Sequence, residues 1–215
     1  MTMDRRTFSL AAASAAGALA LAGLPRRALA QRAGPVEGRD FFTLAKPLAV
    51  PGDGKIEVVE FFWFGCPHCY AFEPVLESWI AKRPADVNFR RVPVGFTAIQ
   101  ETHQRVYYTW EALGMVEAMH MNTFMRFQIQ RKPIDSLDDM VAFAQQSNVD
   151  AARVRAAWNS FGVQTRCQQA KRLVDDYGVD RTPEMGIQGR FTAVGGPASM
   201  LAATDWLVDR VRHRS

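Results

Sequence analysis

The chain has 215 residues, 48% of them hydrophobic and 22% charged, with three cysteines and a formal charge of +4. That length carries one domain with a sizeable core, or a small domain with an insertion, and no repeat or low-complexity run suggests otherwise. Most of the basic excess sits in residues 1–30; the remainder holds 22 basic against 21 acidic residues, so charge gives a nucleic-acid partner no support.

Residues 1–30 read as a cleaved export signal. Arg5 and Arg6 form a basic start, Leu10 to Leu24 is a run of Ala, Leu, Gly and Ser, and Ala28-Leu29-Ala30 is a small-x-small cleavage site. The apolar run falls short of the roughly 20 residues that span a bilayer. Asp4-Arg5-Arg6-Thr7-Phe8 resembles a twin-arginine signal, although paired arginines also occur in ordinary secretory leaders. Residues 31–40 are polar and contain Gly and Pro, as in a flexible lead-in.

Phe41 to Val50 is predicted as a first strand, with a turn at Pro51-Gly52-Asp53-Gly54. The stretch 56–62, Ile-Glu-Val-Val-Glu-Phe-Phe, is nearly continuous in apolar and β-branched character, which fits a strand covered on both faces. A helix follows, its apolar positions Cys69, Phe72, Leu76, Trp79 and Ile80 at helical spacing, with Pro74 expected to kink it. Asn88 to Val94 is the next strand. Residues 97–177 then turn Met-, Gln- and Ala-rich with helical periodicity, giving about five helices broken near Gly114, Lys132-Pro133, Gln146-Ser147-Asn148 and Ser160. The β signal returns at 184–187 and 190–194 around a Gln188-Gly189 turn, and 198–212 is an amphipathic helix. An α/β unit, 41–96 and 178–215, is therefore split by a helical insertion, 97–177.

The chemistry points to Cys66-Pro67-His68-Cys69. Disulfide exchange needs a thiolate, and a cysteine directly after a strand, at the first turn of a helix, meets free backbone N–H groups and the positive end of the helix dipole. Pro67 suits that turn because its missing N–H has no helical partner there. His68 adds a positive charge or an N–H donor. Cys66 is expected to be exposed and attacked, and Cys69, on the apolar stripe one turn on, to be buried. A pair whose thiolate is stabilised gives up its disulfide readily and acts as an oxidant. A zinc half-site is the competing reading, but Cys167 and the scattered histidines offer no paired ligand spacing. No metal and no cofactor beyond the Cys66–Cys69 disulfide is expected.

The segment Glu60-Phe61-Phe62-Trp63-Phe64-Gly65-Cys66-Pro67-His68-Cys69, continuing through Tyr70-Ala71-Phe72-Glu73-Pro74, closely resembles the active-site segment of the DsbA family of the thioredoxin superfamily. The element order matches as well. The resemblance implies a thioredoxin-like α/β fold interrupted by an all-helical domain, and a monomeric periplasmic enzyme. Such an enzyme donates its disulfide to reduced exported proteins and is reoxidised by a membrane partner of the DsbB type. It further implies that Thr182-Pro183 is the cis-proline loop that offers backbone groups to an extended substrate. Thr182 departs from the Val often found there. Glu60, six residues before Cys66, matches a buried acid that assists proton movement, with Arg90 or Arg91 as its partner. Phe64, Pro67 and Pro183 are expected to shape a substrate groove.

Two other readings use the same thiols. One is a reductase or isomerase serving cytochrome or metal-centre assembly; the other is a non-catalytic metal carrier. Cys167 lies on the stripe Val163, Cys167, Ala170, Val174, Tyr177 and reads as a buried structural thiol. Met115, Met119, Met121 and Met125 read as core, and His103, His120 and His213 have no local partner in the sequence.

Overall fold

The apolar run at 56–62 builds the centre of the sheet. In the computed structural model, which describes residues 34–213, it is a strand buried along its whole length. This strand, β2 (Ile56–Phe62), follows a short β1 (Phe41–Thr43) and leads into α1 (Pro67–Lys82) and β3 (Val87–Pro93). Five helices come next: α2 (Ala98–Ala112), α3 (Val116–Gln128), α4 (Leu137–Gln146), α5 (Ala151–Trp158) and α6 (Phe161–Tyr177). The hairpin β4 (Glu184–Ile187) and β5 (Phe191–Ala193) and the helix α7 (Pro197–Arg212) complete the order. The export signal and its cleavage position near Ala30 lie outside the described residues. No helix among the described residues is long and apolar enough to cross a membrane.

The sheet runs β1-β5-β4-β2-β3, with β2 and β3 parallel across the α1 crossover and the other pairs antiparallel. Side chains alternate along β2, so Ile56, Val58 and Glu60 face one side and Glu57, Val59 and Phe61 the other. On the first side Val58 shares a buried cluster with Phe72 and Leu76 of α1 and Met200 and Leu207 of α7. On the second, Val59 and Phe61 join Val106 and Tyr107 of α2 and Val174 of α6. Cover on both faces is why the strand reads as almost unbroken apolar sequence.

The inserted helices carry their own start signals. Thr97, Ser136, Asp150 and Ser160 each accept a hydrogen bond from the backbone N–H three residues on, at the starts of α2, α4, α5 and α6. Helix α6 stops at Gly178, which takes the left-handed conformation at φ 67°. The next turn, Gln188-Gly189, has positive φ at both positions, the type I′ geometry that joins strands with the right twist. Tyr177 ties the two features together. Its hydroxyl accepts from the Gly189 N–H at 2.9 Å, and its ring lies 2.6 Å from where a Cβ on Gly186 would sit.

Two sequence expectations need correction. The first strand ends at Thr43 rather than Val50, because Pro47 has no N–H to give a ladder. The chain instead follows the hairpin turn, with Leu44 N–H donating to Arg190 O and Leu48 N–H to Gly189 O, each at 2.8 Å. Val36 to Asp40, expected within a flexible lead-in, is a turn in which Asp40 N–H donates to Val36 O and Val36 N–H to the Asp40 carboxylate.

Candidate active site

Four residues connect β2 to α1, and each is pinned. Cys66 N–H donates back to Trp63 O at 2.9 Å, closing a tight turn. A Cβ on Gly65 would lie 2.3 Å from the Trp63 ring, so only glycine fits beneath that indole. The Phe64 carbonyl accepts from Gln128 Nε2 of α3 at 2.7 Å. The indole itself is held by the Trp63 Nε1 donor on His103 Nδ1 at 2.9 Å, with the two rings stacked. Because Nδ1 accepts, the His103 proton sits on Nε2 and faces Asp135 at 2.8 Å. Burial holds His103 below its ordinary range and favours that neutral form.

Cys66 occupies the position just before α1, and Pro67 opens the helix. Both Cys66 and Cys69 are free thiols. Cys66 Sγ lies 3.4 Å from the Thr182 carbonyl oxygen, and the Thr182–Pro183 bond is cis. The Cys66 thiol is lowered to about 5, first by a hydrogen bond from the Cys69 thiol, then by Thr182 and the backbone N–H groups of Cys69 and His68. Cys69 is wholly buried, and burial, then the hydrogen bond with Cys66, pushes its thiol strongly up. One turn of helix therefore carries one thiol that ionises easily and one that hardly ionises at all.

Two expectations about these residues change. Cys66 is largely covered, with 7% of its surface exposed, and the Thr182 carbonyl lies against its sulfur. Phe64, expected in the substrate groove, is 1% exposed and packs among Phe62, His120, Phe124 and Phe127. It supports the floor of the motif rather than lining its surface. Pro67 and His68 are exposed, and Thr182 and Pro183 are half-buried. His68 assists the thiolate through its backbone N–H.

Behind Cys69 lies a charge cluster that the sequence showed only in part. Glu60 is fully buried on the α1 face of β2, opposite Arg91 in the parallel register. Of its two candidate partners, Arg91 makes the ion pair, at 3.1 Å, while Arg90 turns to the other face and pairs with Glu57. Arg91 also reaches Glu73 at 3.0 Å and Glu77 at 2.7 Å on α1. Glu73 accepts a further hydrogen bond from His120 Nε2 of α3 at 3.0 Å. Burial, and then the Glu73 charge, raise the Glu60 carboxyl to about 8, which favours its protonated form.

Glu73, His103 and His120 were invisible as site residues because their partners lie 18 to 47 positions away in the chain. His120 left one signal, a polar residue on the buried stripe Met119, Thr123, Phe124, Phe127 of α3. Cys167 is half-buried on α6, and burial raises it to about 11, unlike Cys66. Among the described residues, no three His, Cys, Asp or Glu side chains are placed to hold a metal ion.

Comparison with known proteins gives one consistent result. Residues 90–203, more than half of the chain, match the model of a DSBA-like thioredoxin domain. The thiol:disulfide interchange protein DsbA of Pseudomonas aeruginosa is 35% identical over 179 residues, covering 81% of this chain and 85% of that protein. The protein of the same name from Pseudomonas syringae pv. tomato is 37% identical over 190 residues, covering 85% and 88%. In structure, the chain is similar to crystalline Pseudomonas aeruginosa DsbA, with a TM-score of 0.80 and 34% identity over 84% of this chain and 96% of that one. It is also similar to the oxidoreductase DsbA from Xylella fastidiosa, with a TM-score of 0.79, 30% identity, and coverage of 83% and 98%.

Proposed function

The chain belongs to the DsbA-like family of thioredoxin-fold thiol:disulfide interchange oxidoreductases, and from that premise we propose that Cys66 and Cys69 form the disulfide it donates. The carrying observation is the opposed acidity of the two thiols on one helical turn. A substrate thiolate attacks Cys66 Sγ, the Cys66–Cys69 bond breaks, and Cys69 leaves with the electron pair. Glu60 holds a proton beside that buried sulfur and supplies it. A second substrate thiolate then attacks the substrate sulfur of the mixed disulfide and expels Cys66. Because Cys66 is comfortable as a thiolate, this last step runs readily and the enzyme acts as an oxidant.

Thr182 and Pro183 flank the attacked sulfur, and a half-buried loop there suits docking of an extended, unfolded segment. The natural substrates in this reading are reduced proteins newly exported to the periplasm, delivered to the same compartment by a leader cleaved near Ala30. Two electrons and two protons then pass from the dithiol to a membrane reoxidant of the DsbB type, with no further cofactor on this chain.

The test is the redox equilibrium of the purified protein against glutathione, followed by the fluorescence of Trp63, three residues from Cys66. A potential well above that of the thioredoxin couple, roughly −270 mV, is the expected result. A potential at or below that value would move the chain to a reductase role.

A further inference from the structure

His120 is a buried titratable side chain that the thiol chemistry above does not use. Its ring stands in an aromatic cage, 5.2 Å from Phe62, 5.5 Å from Phe64, 5.1 Å from Phe124 and 6.2 Å from Tyr107, measured between ring centres. Nδ1 is buried in that cage without a hydrogen-bond partner. A second N–H there would have no acceptor, so the ring is neutral with its single proton on Nε2, pointed at Glu73 Oε1. The charged and titratable groups facing it are Glu73 and Glu77 of α1, Arg91 of β3 and Tyr107 of α2, with Glu60 of β2 behind Arg91.

The donors are unevenly shared. Glu73 has both oxygens satisfied, Oε1 by His120 and Oε2 by Arg91. Glu60 has only Oε2 satisfied, and its Oε1 is buried and unpartnered. One guanidinium faces three carboxyls, so one of the two buried carboxyls must hold a proton. The group with more donors keeps the negative charge, and the group with fewer keeps the proton. Two donors on Glu73 against one on Glu60 decide the allocation.

We propose that His120 is a positioning residue of the thiol chemistry: by donating to Glu73 Oε1 it keeps the charge on Glu73 and the proton on Glu60, where Cys69 needs it. His120 never touches the reacting sulfurs. It acts through Glu73, and through the repulsion that a charged Glu73 exerts on Glu60. Without the His120 donor the two carboxyls have one donor each, both from Arg91, and Glu60 ionises beside Cys69. A charged Glu60 opposes a leaving Cys69 thiolate and has no proton to give it.

This inference rests on the disulfide-donor reading only for its effect on rate; oxidation of a reduced peptide by the unaltered protein tests that reading separately. The direct measurement is carbon-13 NMR of the glutamate side-chain carboxyls in the reduced protein, with Glu60→Gln identifying the Glu60 signal. In His120→Leu the Glu60 midpoint should fall by about one pH unit or more, since the Glu73 charge is a main cause of its rise. In His120→Gln, whose amide keeps a donor toward Glu73, the midpoint should stay near that of the unaltered protein. If the leucine variant does not fold, Glu73→Gln places a neutral group at the same point and should lower the Glu60 midpoint equally. The rate of peptide oxidation near pH 7 should fall about tenfold in His120→Leu and recover in His120→Gln. A Glu60 midpoint unmoved in both His120→Leu and Glu73→Gln, or moved equally by leucine and glutamine at 120, would overturn the proposal.

Discussion

Strand β2 carries two buried glutamates three residues apart, and they live by different rules. Glu57 faces the inserted helices and has an arginine to itself: Arg90 reaches it at 2.9 Å and lies partly in solvent. Glu60 faces α1 and shares the nearly buried Arg91 with Glu73 and Glu77. The same residue type on the same strand thus has its own arginine on one face and a shared one, with its carboxyl raised, on the other. What separates them is how many carboxyls compete for one cation, and how much water reaches it. A buried ion pair with matched charges is settled; a buried set with one cation too few must carry a proton, and that proton is available for chemistry.

The strongest way to break this contrast is to remove the shared cation. Arg91→Met leaves Glu60 and Glu73 buried with no positive partner, and should cost about 3–5 kcal/mol of stability by denaturant unfolding. A loss below about 1 kcal/mol, the range of an exposed pair, would mean that the cluster is not the buried unit described above.

A smaller effect sharpens it. Glu60 has a folded-state value near 8 against an ordinary 4.5, so its contribution to stability is fully present below about 4.5 and is lost as pH rises through 8. Glu60→Gln mimics the protonated side chain. Its thermal midpoint should match the unaltered protein near pH 5 and exceed it above pH 8, by about 2–4 °C for each kcal/mol relieved. Parallel curves across that range would place the proton elsewhere.

The smallest effect on the thiols is expected on the other face. Arg90→Gln removes a partly solvated cation and leaves the thiols untouched. Glu57 stays buried without its cation, so the unfolding free energy should fall by about 1–3 kcal/mol, and the midpoint of Cys66 ionisation, read by thiolate absorbance, should not move. A shift there would join the two faces of β2 that the structure keeps apart.

Much of this was legible along the chain. The stretch Glu60 to Pro74 fixed the strand, the motif and the helix, because backbone pattern and cysteine spacing are local properties. The five inserted helices were read from their periodicity and the breaks between them for the same reason, and Gln188-Gly189 announced its turn. The misreadings share a cause too. Phe64 was placed in a groove because it is aromatic and beside Cys66, yet Gln128 holds its backbone and α3 closes over its ring. Cys66 was expected to be open, and the carbonyl of the returning Thr182 loop, 116 residues on, lies against its sulfur.

The sequence by itself determined which residues can do thiol chemistry, and that one cysteine caps a helix while the other falls on its buried stripe. Only the tertiary structure decided which groups surround those thiols and which carboxyls share Arg91. Hydrogen bonds and charges act over a few ångströms of space, and here they join β2, β3, α1 and α3 across gaps of up to 47 residues in the chain. Spacing along a helix or strand can be read from a sequence; the sharing of one arginine among three carboxyls cannot.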